Sequence, residues 1–176
     1  MNTKQELPTA WSRDSSTFDA MYVENAPRIR AFLRQLVGSR QAAEDVTQEI
    51  FTQLWQRPGG FDPDRGTLRA YLFGVARHRA AEWWRRSRPE NAFPEDSRSG
   101  EDPERGWIIA DALQHLPEEQ RMLLWLREVE GQSYAELASI LNIPLGTVRS
   151  RLFTARQALR VIWVSEARKG DLHEVR

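Results

Sequence analysis

Apolar side chains recur along this chain at helical spacing, not strand spacing. From about Phe18 to Ser87 they return every three or four residues, and the pattern resumes from about Trp107 to Ser165. No period-two alternation persists, and no unit repeats at a fixed length. Between the two patterned stretches lies Arg88 to Glu104, with Pro89, Pro94, Gly100 and Pro103. From Glu90 to Glu104 it carries six acids against one base, Arg98. Such a segment buries too little apolar surface to offset the entropy of ordering. The pattern predicts an all-α chain of two small helical domains joined by a flexible acidic linker. The expected divisions are a polar arm over 1–16, a first domain over 17–88, a linker over 89–104, a second domain over 105–165 and a charged tail over 166–176.

The sharpest local signal lies in the second domain. Ser133 and Glu136 have the spacing of a capping box. Tyr134, Leu137, Ala138 and Leu141 then form one stripe. That helix should end near Asn142, because Pro144 prevents smooth continuation. Gly146 and Thr147 are expected to open the next helix, whose inward stripe is Val148, Leu152, Ala155 and Leu159. At ~100° per residue, Arg149, Phe153, Arg156 and Arg160 share the opposite face. No acid occurs from Leu145 to Arg160, against four arginines. An acid-free helix with small residues at its start suits a major groove, N-terminal end towards the bases, and Gly146 would admit a phosphate there. An ordinary helical hairpin with a solvated basic face has the same periodicity.

In the first domain, Val46, Ile50 and Leu54, with Ala43, should face inward, leaving Asp45, Gln48, Glu49 and Thr52 as a polar stripe. Turn-rich residues from Pro58 lead to Thr67, the expected N-cap of a helix from Leu68 to about Arg86. Its predicted buried stripe is Leu68, Tyr71, Leu72, Val75 and Ala76. From Arg65 to Arg88 there are seven arginines and one acid, Glu82. Trp83 and Trp84 lie among them. Aromatics interleaved with arginines suit an unpaired strand, whose bases stack on rings while guanidiniums follow the backbone. Equally, one or both rings pack into the core.

Composition narrows the chemistry. The net charge is zero, so DNA affinity must come from local patches. The bases are almost all arginine, with lysine only at Lys4 and Lys169. There is no cysteine, which excludes disulfides, thiolate metal sites and thiol nucleophiles. The three histidines, His78, His115 and His173, lack metal-ligand spacing, so neither a metal nor a cofactor is expected. No apolar run approaches ~20 residues, so no membrane insertion is expected and the protein should be cytoplasmic. Asp45 and Glu49 share a helix face and could serve as paired carboxylates, but no nucleophile, metal cluster or phosphate loop accompanies them.

The segment QSYAELASILNIPLGTVRSRLFTARQAL (132–159) resembles region four of the sigma-70 family, most closely its extracytoplasmic-function (ECF) group. LPEEQRMLLWLREVEG (116–131) fits the same domain, with Pro117 at a first helical position and Gly131 at a C-cap. AEDVTQEIFTQLW (43–55) resembles the region-two helix that docks on the polymerase clamp. The resemblance covers roughly Phe18 to Arg88 and Arg105 to Ile162. It implies a non-enzymatic subunit of RNA polymerase that reads promoters. The −35 duplex would then be read by Gly146, Thr147, Arg149, Ser150, Phe153 and Arg156. The separated −10 strand would be held by Arg65, Thr67, Arg69, Arg77, Trp83, Arg85 and Arg86, with a flipped base near the loop Gly60 to Thr67. Core polymerase would meet Asp45, Gln48, Glu49 and Thr52. An anti-sigma factor is a further expected partner. The linker, about 17 residues, reaches about 56 Å when extended, and the spacer of about 16 to 17 base pairs that the resemblance implies would set the two elements roughly 55 Å apart. A dimeric regulator using the same helix-turn-helix is an alternative, but it leaves the first domain unexplained.

Overall fold

A computed structural model describes residues 15–87 and 115–171. The predicted linker, nearly all of the predicted arm and the end of the tail lie outside the described residues. The chain divides into two compact units, Met1–Glu95 and Asp96–Arg176. Among the described residues every regular element is helical.

The first unit is a three-helix bundle of α1 (Ser15–Val37), α2 (Arg40–Gln56) and α3 (Leu68–Arg86). On α1, Met21, Ile29, Phe32, Leu33 and Leu36 are buried at helical spacing. Pro27 removes one amide from the ladder of this helix. The preceding turn is solvent-exposed at Val23, so water can satisfy the carbonyl left over. The helix stops at Gly38, whose φ of +71° a side chain would resist and whose amide bonds to the Arg34 carbonyl at 3.2 Å. Ser39 is next, the N-cap of α2, accepting from the Ala42 amide. Ala43, Val46, Ile50 and Leu54 are buried as their spacing predicts, together with Phe51.

The helix α3 begins where expected, with the Thr67 hydroxyl capping the Ala70 amide, but its buried face differs from the predicted stripe. Ala70, Leu72, Phe73, Ala76 and Ala80 are buried, while Leu68, Tyr71 and Val75 are only partly covered. The helix is sandwiched against both α1 and α2, and the decisive contact is Phe73, edge-on to Phe32 with centroids 5.2 Å apart. Tyr71 instead packs under the preceding loop. Phe61 lies 5.6 Å from its ring, and a Cβ at Gly60 would come within 2.7 Å of its hydroxyl. Burial raises the pKa of that hydroxyl. The loop itself holds two 3-10 turns, Pro58–Gly60 and Pro63–Arg65.

The second unit contains α4 (Glu118–Leu124), a π-helical turn (Trp125–Val129), α5 (Tyr134–Leu141) and α6 (Leu145–Asp171). Pro117 is the N-cap of α4, one position earlier than predicted. The π turn was not legible in the sequence. It is marked by the bond from the Glu130 amide to the Trp125 carbonyl. Gly131, at φ +69°, ends it. The capping box of Ser133 and Glu136 is present in both directions. Asn142 closes α5 in the left-handed region, with the Ile143 amide reaching back to the Ala138 carbonyl, a Schellman arrangement. The next helix starts at Leu145, one residue before the predicted opening, and runs on to Asp171. The predicted tail is therefore helical as far as residue 171. Val148, Leu152 and Ala155 are fully buried, as are Leu126 and Leu137, with Leu123 and Ile140 nearly so, whereas Leu159 is only half-buried.

Candidate nucleic-acid interface

The two helices α5 and α6 form a helix-turn-helix with its outer face open. Arg149 and Phe153 lie on that face, and Phe153 is 66% exposed. Arg149 has no acid within ion-pair distance among the described residues. Gly146 is exposed, and a Cβ there would meet nothing. Thr147 is partly covered. Ser150 and Thr154 turn their hydroxyl protons onto backbone carbonyls one turn back, leaving oxygen lone pairs outward. Arg151 ties α6 to α4 through Glu119 at 2.7 Å. A guanidinium and a phenyl ring, solvated and uncompensated at the start of a rigid helix, can enter a groove without displacing any intramolecular partner.

Arg156 differs from its neighbours on the same face. Its Nε and Nη2 both donate to one Glu128 carboxylate oxygen, at 3.1 and 2.7 Å, and its Nη1 reaches the Tyr134 hydroxyl at 3.4 Å. Glu128 and then Tyr134 hold its guanidinium pKa above the ordinary arginine value. The sequence places this residue among DNA contacts, but its fork is already engaged.

In the first unit the predicted strand-binding residues do not form one surface. Arg77 and Arg86 are nine residues apart, about 180° around the helix. Arg86 points towards α2, 3.7 Å from Glu49, and Arg69 points towards α1, 3.5 Å from Glu24. Thr67 spends its hydroxyl oxygen on the cap. Arg65, Arg77 and Arg85 make no ion pair within contact distance among the described residues, though Arg85 donates to the Ala81 carbonyl and its charge is felt by Glu82. Neither tryptophan is fully buried. Trp84 remains 40% exposed while its Nε1 donates to the Leu36 carbonyl, and Trp83 stands edge-on to it at 5.0 Å, partly covered. His78, which no spacing pattern singled out, shares the outward face with Arg85, seven residues away.

Glu82, the lone acid of this basic stretch, is neutralised in place. It accepts from Arg79 at 2.5 Å and lies 3.3 Å from His78 Nε2. The Arg79 hydrogen bond, and then the charges of Arg79, His78 and Arg85, lower its pKa below the ordinary 4.5. A carboxyl depressed on folding stabilises above its unfolded pKa, and the effect is lost as pH falls through the folded value. Glu82→Gln should therefore lower the melting temperature at neutral pH, with the gap from wild type shrinking below pH 4.5. Melts across that range test this, and a gap independent of pH would contradict it.

Asp45, Gln48, Glu49 and Thr52 are all exposed on α2, opposite Val46 and Ile50. Gln41 donates to Asp45 at 3.0 Å. The exposed edge of Trp55, packed on Phe18 at 4.9 Å, adjoins this polar stripe, and periodicity alone did not single it out.

The family model for sigma-70 region 2 matches residues 21–90, and that for sigma-70 region 4 matches residues 107–159. The ECF RNA polymerase sigma factor SigL of Mycobacterium tuberculosis is 33% identical over 163 residues, covering 86% of this chain and 92% of its own. The chain belongs to the ECF sigma factors of the sigma-70 family. It is a transcription initiation factor that directs RNA polymerase to promoters. RpoE of Cereibacter sphaeroides, an ECF RNA polymerase sigma factor, is 29% identical over 157 residues, covering 84% and 87%. Among solved structures, the sigma factor RpoE of Bartonella quintana, in complex with the anti-sigma factor NepR, has a TM-score of 0.70 at 25% identity. That match covers 82% of this chain and 95% of the other. No helix among the described residues is long and apolar enough to cross a membrane.

Proposed function

We propose that this ECF sigma factor divides promoter recognition between its two units, and that it has no catalytic activity of its own. The second unit reads −35 duplex through Gly146, Thr147, Arg149, Ser150 and Phe153 at the start of α6. The observation that carries this is the polarity of that helix. Val148, Leu152 and Ala155 are sealed in the core while Arg149 and Phe153 stand in solvent. The first unit holds the −10 strand. Arg65, Arg77 and Arg85 are the cations best placed to follow a phosphate backbone, with Trp83 for stacking. Arg69, Arg86 and Thr67 support the helix through their partners and meet DNA only if those contacts yield. The loop Gly60 to Thr67, pinned on Tyr71, is the proposed base pocket.

The α2 stripe of Asp45, Gln48, Glu49 and Thr52 is the proposed docking surface for core polymerase. Residues 89–104 are proposed to link the units, with the first spanning about 17–88 and the second 105–165. An anti-sigma factor, as bound to the Bartonella relative, is a proposed partner, and the cytoplasm, where polymerase works, the proposed location. The decisive experiment is run-off transcription with purified chain and core RNA polymerase on fragmented genomic DNA. Discrete transcripts should appear only when both are present. Their absence, with no inhibitor in the mixture, would refute the proposal.

A further inference from the structure

Three elements of the second unit meet at one polar network. Arg156 on α6 grips Glu128 of the π turn with two bonds to a single oxygen and touches the hydroxyl of Tyr134, the first residue of α5. On the other side of Tyr134, the Arg127 guanidinium lies over the ring, 5.2 Å from its centroid, and donates to the Gln132 carbonyl at 2.8 Å. Tyr134 is thus held between two arginines, one at its face and one at its hydroxyl. The π turn, Trp125–Val129, is the element that carries both Arg127 and Glu128.

We infer that Arg156 is a positioning residue, not a DNA contact: through Glu128 and Tyr134 it fixes the angle at which α6 presents Arg149, Ser150 and Phe153. This rests on the reading of α6 proposed above. Arg156 lies seven residues behind Arg149, about 10 Å along the axis. Over that lever a tilt of about 10° displaces the reading end by roughly 2 Å, more than the tolerance of a hydrogen bond. The guanidinium is also compensated already by Glu128. A phosphate would have to displace that carboxylate, whereas Arg149 is open to one.

The test uses holoenzyme assembled from the full chain and core RNA polymerase. A duplex library randomised over the −35 region yields the sequence that wild type enriches. Binding to that duplex and to a scrambled one is then measured over a range of salt for Glu128→Gln, for Arg156→Gln and for the double exchange Glu128→Arg with Arg156→Glu. Melting temperatures are recorded for each. We expect each single variant to lower the preference for the enriched duplex by about fivefold, the upper end for an exposed pair. The salt slope should stay that of wild type, and the double exchange should recover the preference. A phosphate contact has another signature: Arg156→Gln lowers the slope by about one while Glu128→Gln behaves as wild type. That result overturns the inference, as does a double exchange that melts like wild type yet fails to recover preference. If wild type enriches no −35 sequence at all, the reading of α6 itself fails.

Discussion

Phe73→Ala is expected to destabilise the first unit by about 3–5 kcal/mol, whereas Val75→Ala should cost under about 1 kcal/mol. Phe73 is fully buried, edge-on to Phe32, between two helices that cannot close on the space it would leave. Small domains have on the order of 5–15 kcal/mol in total, so this one change should bring the unit close to unfolding. Calorimetry of the full chain measures it, since the chain divides into two compact units and each is expected to give its own transition. A drop in one transition with the other unmoved is the expected trace. Equal costs at the two positions would show that α3 is rotated from the orientation described. The same helix carries Arg77, Trp83 and Arg85, the residues proposed to hold the −10 strand.

Arg149→Ala is expected to weaken binding of the assembled holoenzyme to its promoter by about 1–3 kcal/mol and to relax preference at one −35 position. Among the described residues Arg149 has no ion pair to lose, so stability should be unchanged. Competition among promoter duplexes altered one base pair at a time separates the alternatives. Loss confined to one base pair marks direct readout, and uniform weakening marks a phosphate contact. Phe153→Ala, at an equally open position, should act on the apolar part of the same readout while leaving the salt dependence intact.

The two units differ in how much of their site is local. In the helix-turn-helix, the cap of Ser133 and Glu136, the stop before Pro144 and the split between the inward stripe and Arg149 with Phe153 all depend on residues within a turn or two of each other. They are therefore readable from spacing. The α2 stripe is readable for the same reason, since Asp45, Gln48, Glu49 and Thr52 lie opposite a continuous apolar edge. The roles of the arginines are not local. By spacing alone Arg69, Arg86 and Arg156 resemble Arg77 and Arg149, but their partners, Glu24, Glu49 and Glu128, lie 45, 37 and 28 residues away.

The sequence by itself determined the all-helical character of the two units, the caps at Thr67 and at Ser133 with Glu136, and the outward face of α6, because helical periodicity and capping act over a few residues. Only the tertiary structure decided which face of α3 is buried and which cations are left open. A helix wedged between two neighbours takes the rotation that best fills both contacts, so Phe73 displaced Tyr71 and Val75 from the interior. An arginine is engaged within the fold or left open according to whether packing brings a carboxylate to it.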